Sequence, residues 1–296
     1  MEFGFVTWYS EGLLEKAQRL GFDCVEIFTD KDSPLDVDKL TEDDYKRLAD
    51  ERAKYSINFS AVASAVNHLI ADDNAREVNQ EYFKKVIKAA GKFDSKLVMT
   101  NVWADSALSP SDNLKRFKAV FSEYAKIAED NGVRIVVENC PHLGSYPMTI
   151  GNICYSPQMW EAMFDLVPSP ALGIEYDPSH MYWQRIDYLK AITDFGSRIY
   201  CCHAKDTEIN YEVMGRTGIF GEQINRKNDW ETGWWRYRIP GFGEIDWKNV
   251  FCRLYDIGFD GPVFIEHEDP VFEGAKFEEG LSMGLRFLKQ FTPPKD

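Results

Sequence analysis

The chain has 296 residues, 44% of them hydrophobic, and a formal net charge of -14. That length admits one large domain or two ordinary ones, with enough apolar residues for a sizeable core. The acidity argues against a nucleic-acid or anionic-membrane partner, because phosphate binding needs a basic surface; solubility alone also accounts for it.

Met1-Glu2-Phe3-Gly4 has no basic n-region, so no signal peptide is expected. No apolar run is long enough to span a bilayer. The cysteines Cys24, Cys140, Cys154, Cys201, Cys202 and Cys252 show no CxxC spacing and read as reduced thiols in a cytoplasmic protein.

In chain order, short apolar runs alternate with longer amphipathic ones. Strands are expected over Phe3–Thr7, Cys24–Phe28, Asn58–Ala63, Lys96–Thr100 and Arg134–Glu138. Three more are expected, ending at Asp177, His203 and Glu266. Between them helices are expected over Glu11–Leu20, Thr41–Tyr55, Asn74–Phe93, Asp112–Asn131, Ser156–Leu166 and Trp183–Phe195. Trp247–Ile257 and Phe277–Phe291 complete the set. Thr41 and Asp44 have capping-box spacing, and Ser156-Pro157 reads as an N-cap followed by proline. Eight strand-then-helix units predict α/β architecture, a single (β/α)8 TIM barrel over residues 1–296. An open doubly wound sheet is the alternative, but no Gly-x-Gly-x-x-Gly follows the first strand.

One connection is abnormally long. From Thr207 to Asp246, after strand seven, no helix or strand is evident, while Arg216, Phe220, Trp230, Trp234, Trp235, Arg236, Tyr237 and Arg238 fill it. A loop of that length and aromatic content reads as a lid or substrate wall; an oligomer contact is the alternative.

Four successive strands end in metal-ligand residue types. Ile135-Val136-Val137 runs into Glu138, and Ala171 to Tyr176 into Asp177. Arg198 to Cys202 runs into His203, and Val263-Phe264-Ile265 into Glu266. In a closed barrel these ends converge on one bowl. Three carboxylates and an imidazole suit manganese, magnesium or cobalt better than structural zinc, the alternative being capping and salt-bridge roles. His180 and His142 each lie about a turn beyond a ligand candidate. His68, after strand three, is a weaker candidate substrate contact. Lys205 and Asp206 read as partners orienting the ligands or as a loop ion pair. Glu26 either faces the barrel mouth or is a paired core acid; Trp8 and Trp103 either wall a sugar face or pack.

The motifs Val-Val-Glu138-Asn, Tyr-Asp177-Pro-Ser-His180, His203-Ala-Lys-Asp206, Gly241-Phe-Gly243-Glu-Ile-Asp-Trp247 and Ile-Glu266-His-Glu-Asp269 resemble the xylose isomerase-like barrel family. That group holds sugar phosphate isomerases and epimerases, ketose 3-epimerases and, more distantly, apurinic endonucleases. The resemblance implies that Glu138, Asp177, His203 and Glu266 bind a divalent metal. It also implies that Glu138 and Glu266 carry protons and that His180 contacts substrate oxygen. Ketose 3-epimerases share an arginine shortly after the strand-seven histidine. Here that stretch is Thr207-Glu208-Ile209, and the first later arginine, Arg216, is the candidate substrate contact from the loop.

The expected chemistry is enolisation of a sugar, giving a metal-dependent isomerase or epimerase. In the alternative, a 3-keto glycoside is cleaved by elimination, as in C-glycoside deglycosidase relatives, with His142 as base and the aromatic loop around the aglycone. A non-catalytic sugar-binding subunit, alone or beside a second subunit, is the third reading.

Overall fold

Strand residues that alternate in facing, set on parallel neighbours, are what let this chain close a barrel. A computed structural model describes residues 1–143, 149–224 and 230–293. Its strands are β1 (Phe3–Thr7), β2 (Cys24–Phe28), β3 (Asn58–Ala63), β4 (Leu97–Thr100), β5 (Arg134–Glu138), β6 (Leu172–Tyr176), β7 (Ile199–Ala204), β8 (Asp206–Ile209), β9 (Trp235–Arg238) and β10 (Val263–Ile265). Eight of them close in the order β1-β10-β7-β6-β5-β4-β3-β2, every pair parallel, so the open sheet is ruled out.

The helices are α1 (Leu13–Leu20), α2 (Glu42–Tyr55), α3 (Asp73–Ala89), α4 (Pro110–Asn131), α5 (Pro157–Leu166), α6 (Pro178–Trp183), α7 (Tyr188–Phe195), α8 (Tyr211–Thr217), α9 (Trp247–Asp256) and α10 (Phe277–Lys289). Thr41 and Asp44 form the expected capping box, whereas Ser156 stands at the start of α5 without a side-chain bond. The helix expected over Trp183–Phe195 is confined to α7, Tyr188–Phe195, and a separate short helix, α6, ends where the expected one begins. Asp177 caps α6, accepting from the Ser179 amide at 2.8 Å. Arg185, at φ 61°, breaks the chain direction, and Asp187 caps α7.

Two apolar cores build the barrel itself. The larger lies between sheet and helices. The smaller holds Cys24, Ala61, Ala63, Leu97, Met99, Val136, Cys201 and Phe264, which are alternate strand residues and fill the barrel's interior. Two residues further along the same faces, β2, β5, β7 and β10 present Glu26, Glu138, His203 and Glu266. The interior therefore changes from apolar to charged within one layer as it rises toward the C-terminal ends of the strands.

The long connection is not the featureless loop the sequence suggests. Asp206–Ile209 and Trp235–Arg238 pair antiparallel, with Asp206 opposite Arg238, and α8 lies between them. The Trp-Arg-Tyr-Arg alternation of β9 is a strand period whose bulky, charged members conceal it. Asp206 pins the connection at both ends. One of its carboxyl oxygens accepts from the Thr207 and Ile245 amides at 2.8 and 2.9 Å. The other accepts from the Gly241 amide and the Trp247 indole, both at 2.9 Å. Bonds to a charged acceptor contribute about 1.5–3 kcal/mol each, so this carboxylate is a major anchor. No described helix is long and apolar enough to cross a membrane.

Candidate metal centre at the barrel mouth

Glu138, at the end of β5, is 4% exposed. Its Oε1 lies 3.3 Å from His203 Nδ1 and 3.4 Å from His180 Nε2, and Asn101 donates to its Oε2 at 3.1 Å. Asp177 follows β6 and is divided in function. Oδ1 caps α6, while Oδ2 faces His180 Nε2 at 3.2 Å and the Lys205 ammonium at 3.3 Å. Asn139 locks that residue, bonding the backbone of Asp177 through both ends of its amide. Glu266, just past β10, lies 3.1 Å from His203 Nδ1 and also receives Lys205.

The structure thus brings Glu138, Asp177, His203, Glu266, His180 and Lys205 to one place. Donor atoms of Glu138, Asp177, His180 and Glu266 lie within 4.8 Å of one another. His203 stands against two of those carboxylates. Its other nitrogen, Nε2, lies 3.3 Å from both Glu26 and Glu175, which are fully buried beneath it. Cys201 donates to Glu175 at 3.1 Å.

Electrostatics follow from this crowding. Burial works against the Glu138 charge, but hydrogen bonds and positive charge from His180 and His203 hold its carboxyl well below the ordinary range. Burial likewise opposes ionisation of Glu266, and Lys205 above all, with His203, overcomes it. Burial and the charge on Glu175 push Glu26 well up. Burial would lower His203, yet Glu175, Glu266 and Glu26 raise it well above the usual imidazole value.

The cluster fits a divalent cation. Asp177 Oδ2 and His180 Nε2 are buried without a hydrogen-bond partner, standing only in charge contact. Orphaned buried atoms of this kind are costly unless a further group satisfies them. A carboxylate-rich set with one or two imidazoles suits a hard or borderline ion. The carboxylates at His203 Nε2 fix the ring so that Nδ1 faces the mouth, the usual way an imidazole ligand is oriented.

The β8–β9 ribbon completes one wall. Tyr237 is in hydrogen-bond contact with His180 Nδ1 at 2.6 Å, and the Lys205 ammonium sits 4.3 Å from the Tyr237 ring centre. Lys205 also pairs with Glu268 at 2.9 Å. Trp103 packs on His142 with ring centres 4.1 Å apart and planes tilted by 31°, and His142 lies beside Glu138 and Cys140.

Two expected contacts lie elsewhere. His68 is fully buried between sheet and helices, with Nε2 2.7 Å from the Thr100 hydroxyl and Nδ1 3.2 Å from the Tyr124 hydroxyl. Phe83 and Phe121 pack on its ring, so both nitrogens are used and no substrate reaches it. Arg216 is exposed on α8, at an outer groove with Val213 and Glu222. The apolar side of α8, Val213 and Met214, packs against the Trp183, Trp234 and Trp235 cluster, which leaves Arg216 in solvent.

His68 makes a prediction of its own. Burial pushes its pKa down to about 3, below the unfolded value near 6.5. The unfolded chain then binds more protons, so this contribution is complete above pH 6.5 and is lost as pH falls toward 3. Between pH 7 and pH 5 it removes about 2 kcal/mol. Urea unfolding of His68→Gln should show lower stability at pH 7 and a flatter decline on acidification than the parent. Parallel declines would exclude the effect.

Sequence reasoning missed Glu175, Asn101, Asn139 as a lock, and Tyr237. Glu175 was legible, since it lies two residues before Asp177 and strand alternation puts both on one face. Tyr237 was not, because its strand was hidden.

A closed parallel barrel with acids and imidazoles gathered at its C-terminal mouth defines a class of (β/α)8 proteins whose sites sit on that face. The chain belongs to the xylose isomerase-like TIM barrel family, whose profile matches residues 14–291. An inosose dehydratase of Clostridium perfringens is 23% identical over 168 residues, 56% of this chain and 50% of that protein. Two crystal structures share the fold. IolI protein with a bound zinc atom has TM-score 0.74 and 20% identity, covering 99% of both chains. D-psicose 3-epimerase from Clostridium cellulolyticum H10 with D-tagatose has TM-score 0.71 and 19% identity, covering 98% of this chain and 99% of that one.

Proposed function

We propose that the protein is a divalent-metal-dependent isomerase or epimerase of a carbohydrate, acting through an enediolate. The observation that carries this reading is the pair of glutamates at His203 Nδ1. Glu138 and Glu266 reach that nitrogen from strands separated by β6 and β7, so a ligand between them meets a carboxylate on either side. Glu138, Asp177, His203 and Glu266 would hold the ion, with manganese first and magnesium or cobalt as alternatives. Bound there, it would supply Lewis-acid polarisation of a sugar carbonyl and neighbouring hydroxyl, which acidifies the C–H between them.

The side chains supply the rest. One glutamate removes the proton and the other returns one. Return to the adjacent carbon isomerises, and return to the opposite face epimerises. Lys205 holds Glu266 ionised and in place. His180, fixed by Tyr237, offers a proton to a substrate oxygen. Trp103 gives an apolar face for the sugar ring. The crystallised relative bound to D-tagatose and the zinc-bearing relative support the substrate class and a divalent ion, without favouring manganese. The free cysteines agree with a cytoplasmic setting.

The test is incubation with manganese and a panel of ketoses and aldoses in deuterated water. Deuterium should enter one carbon-bound position of a reacting sugar; absence of exchange in every sugar rejects the proposal.

A second reading is favoured by the His180–Tyr237 pair, a proton source facing the same glutamates, and by the dehydratase relative. A 3-keto glycoside or other keto sugar would lose the proton to Glu138, Glu266 or His142 and then expel its neighbouring oxygen or aglycone. Release of water or aglycone without exchange into recovered substrate would select this outcome.

A further inference from the structure

The turn after β5 carries donors that the first set does not use. Glu138, Cys140 and His142 each offer an atom within 4.8 Å of the others, and Glu138 is common to both groups. We propose that Cys140 and His142, with Glu138 as a shared carboxylate, form a second metal position beside the first, one that takes a zinc-like borderline-to-soft ion.

The turn is built to present these donors. His142 has φ 47°, a left-handed conformation that costs a residue with a side chain energy unless its surroundings hold it. They do so through several bonds. The Asn152 amide donates to the carbonyls of Glu138 and Cys140, both at 2.8 Å. The Gly151 amide donates to the Pro141 and His142 carbonyls at 2.9 and 3.0 Å. A side chain at Gly151 would collide with His142, its Cβ lying 2.8 Å from that carbonyl oxygen, so the two segments are in direct backbone contact.

The imidazole is held as well. Trp103 covers one face of the ring, and Nε2 of His142 is buried without a hydrogen-bond partner. Cys140 forms no disulfide and is half-buried, and its thiol is within hydrogen-bonding reach of His142 and His180, so sulfur and imidazole already face each other. Three protein donors leave one tetrahedral vertex open, the arrangement of reactive rather than structural zinc sites. Thiolate and imidazole favour zinc or cobalt over magnesium and manganese, whereas the carboxylate set does not discriminate in that direction. The two positions therefore differ in which ions fill them. A metal on His142 would also compete with its use as the base of the elimination reading.

The inference uses Glu138 from the proposed centre but not its sugar chemistry, and it stands if no sugar reacts. Metal-free protein titrated with cobalt(II) should take up two ions per chain. One should bring a near-ultraviolet thiolate-to-cobalt charge-transfer band. Cys140→Ser should abolish that band and one equivalent while circular dichroism and the other ion's visible absorption persist. His142→Ala should weaken the band-forming ion by at least about tenfold. A band without the other equivalent, retained in Glu266→Gln, would keep this position and reject the carboxylate centre. Absence of the band in the parent at saturating cobalt, or its persistence in Cys140→Ser, would overturn the proposal.

Discussion

Glu138→Gln should lose both tight metal binding and catalysed proton exchange, the largest effect expected of a single substitution. The carboxylate touches both imidazoles of the mouth and is shared by both donor groups. The amide keeps its shape and its bond from Asn101 but carries no charge, and it cannot accept a proton from carbon at neutral pH. General base catalysis alone contributes about 10²–10⁴-fold. With weaker cation binding added, turnover should fall at least about a thousandfold. Metal analysis of protein purified without chelator, together with deuterium exchange, checks this. Glu266→Gln should behave similarly but lose less metal, because Glu266 belongs to one donor group only. Retained exchange in both variants would remove the glutamates from the chemistry.

Lys205→Met should be the most destabilising change near the site. The ammonium is 1% exposed and lies among Asp177, Glu266 and Glu268. Removing one partner of a buried ion pair costs about 3–5 kcal/mol, because the remaining charges stay desolvated. The variant's urea midpoint should drop accordingly in the presence of chelator. Excess manganese should recover part of the loss, since a cation at the carboxylates compensates for the missing one and binds only the folded chain. Equal losses with and without metal would mean that Lys205 serves packing alone.

Much of this was legible in the sequence, for identifiable reasons. Buried parallel strands are short apolar runs, and a charged residue at the end of such a run stands out. Glu138, Asp177, His203 and Glu266 were visible on that ground alone. Residues whose meaning depends on facing were harder. Glu175 reads as part of an ordinary strand until alternation with Asp177 is applied. His68 misleads because the sequence shows a histidine after a strand but not that Thr100 and Tyr124 will take both its nitrogens. The β8–β9 ribbon was hidden because its register depends on partners about thirty residues apart, Asp206 with Arg238 and Glu208 with Arg236. No local pattern encodes such a pairing.

The knot at Asp206 bears on how this protein is altered by design or by descent. One carboxylate ties the entry of the long connection to its exit at Gly241, Ile245 and Trp247. Lengthening a surface segment between fixed ends costs little, about 0.6 kcal/mol per doubling. The stretch between Asn210 and Trp234 is therefore an exchangeable cassette. Its sequence and length can change while Tyr237 on β9, and His203 and Lys205 immediately upstream of the knot, hold their positions.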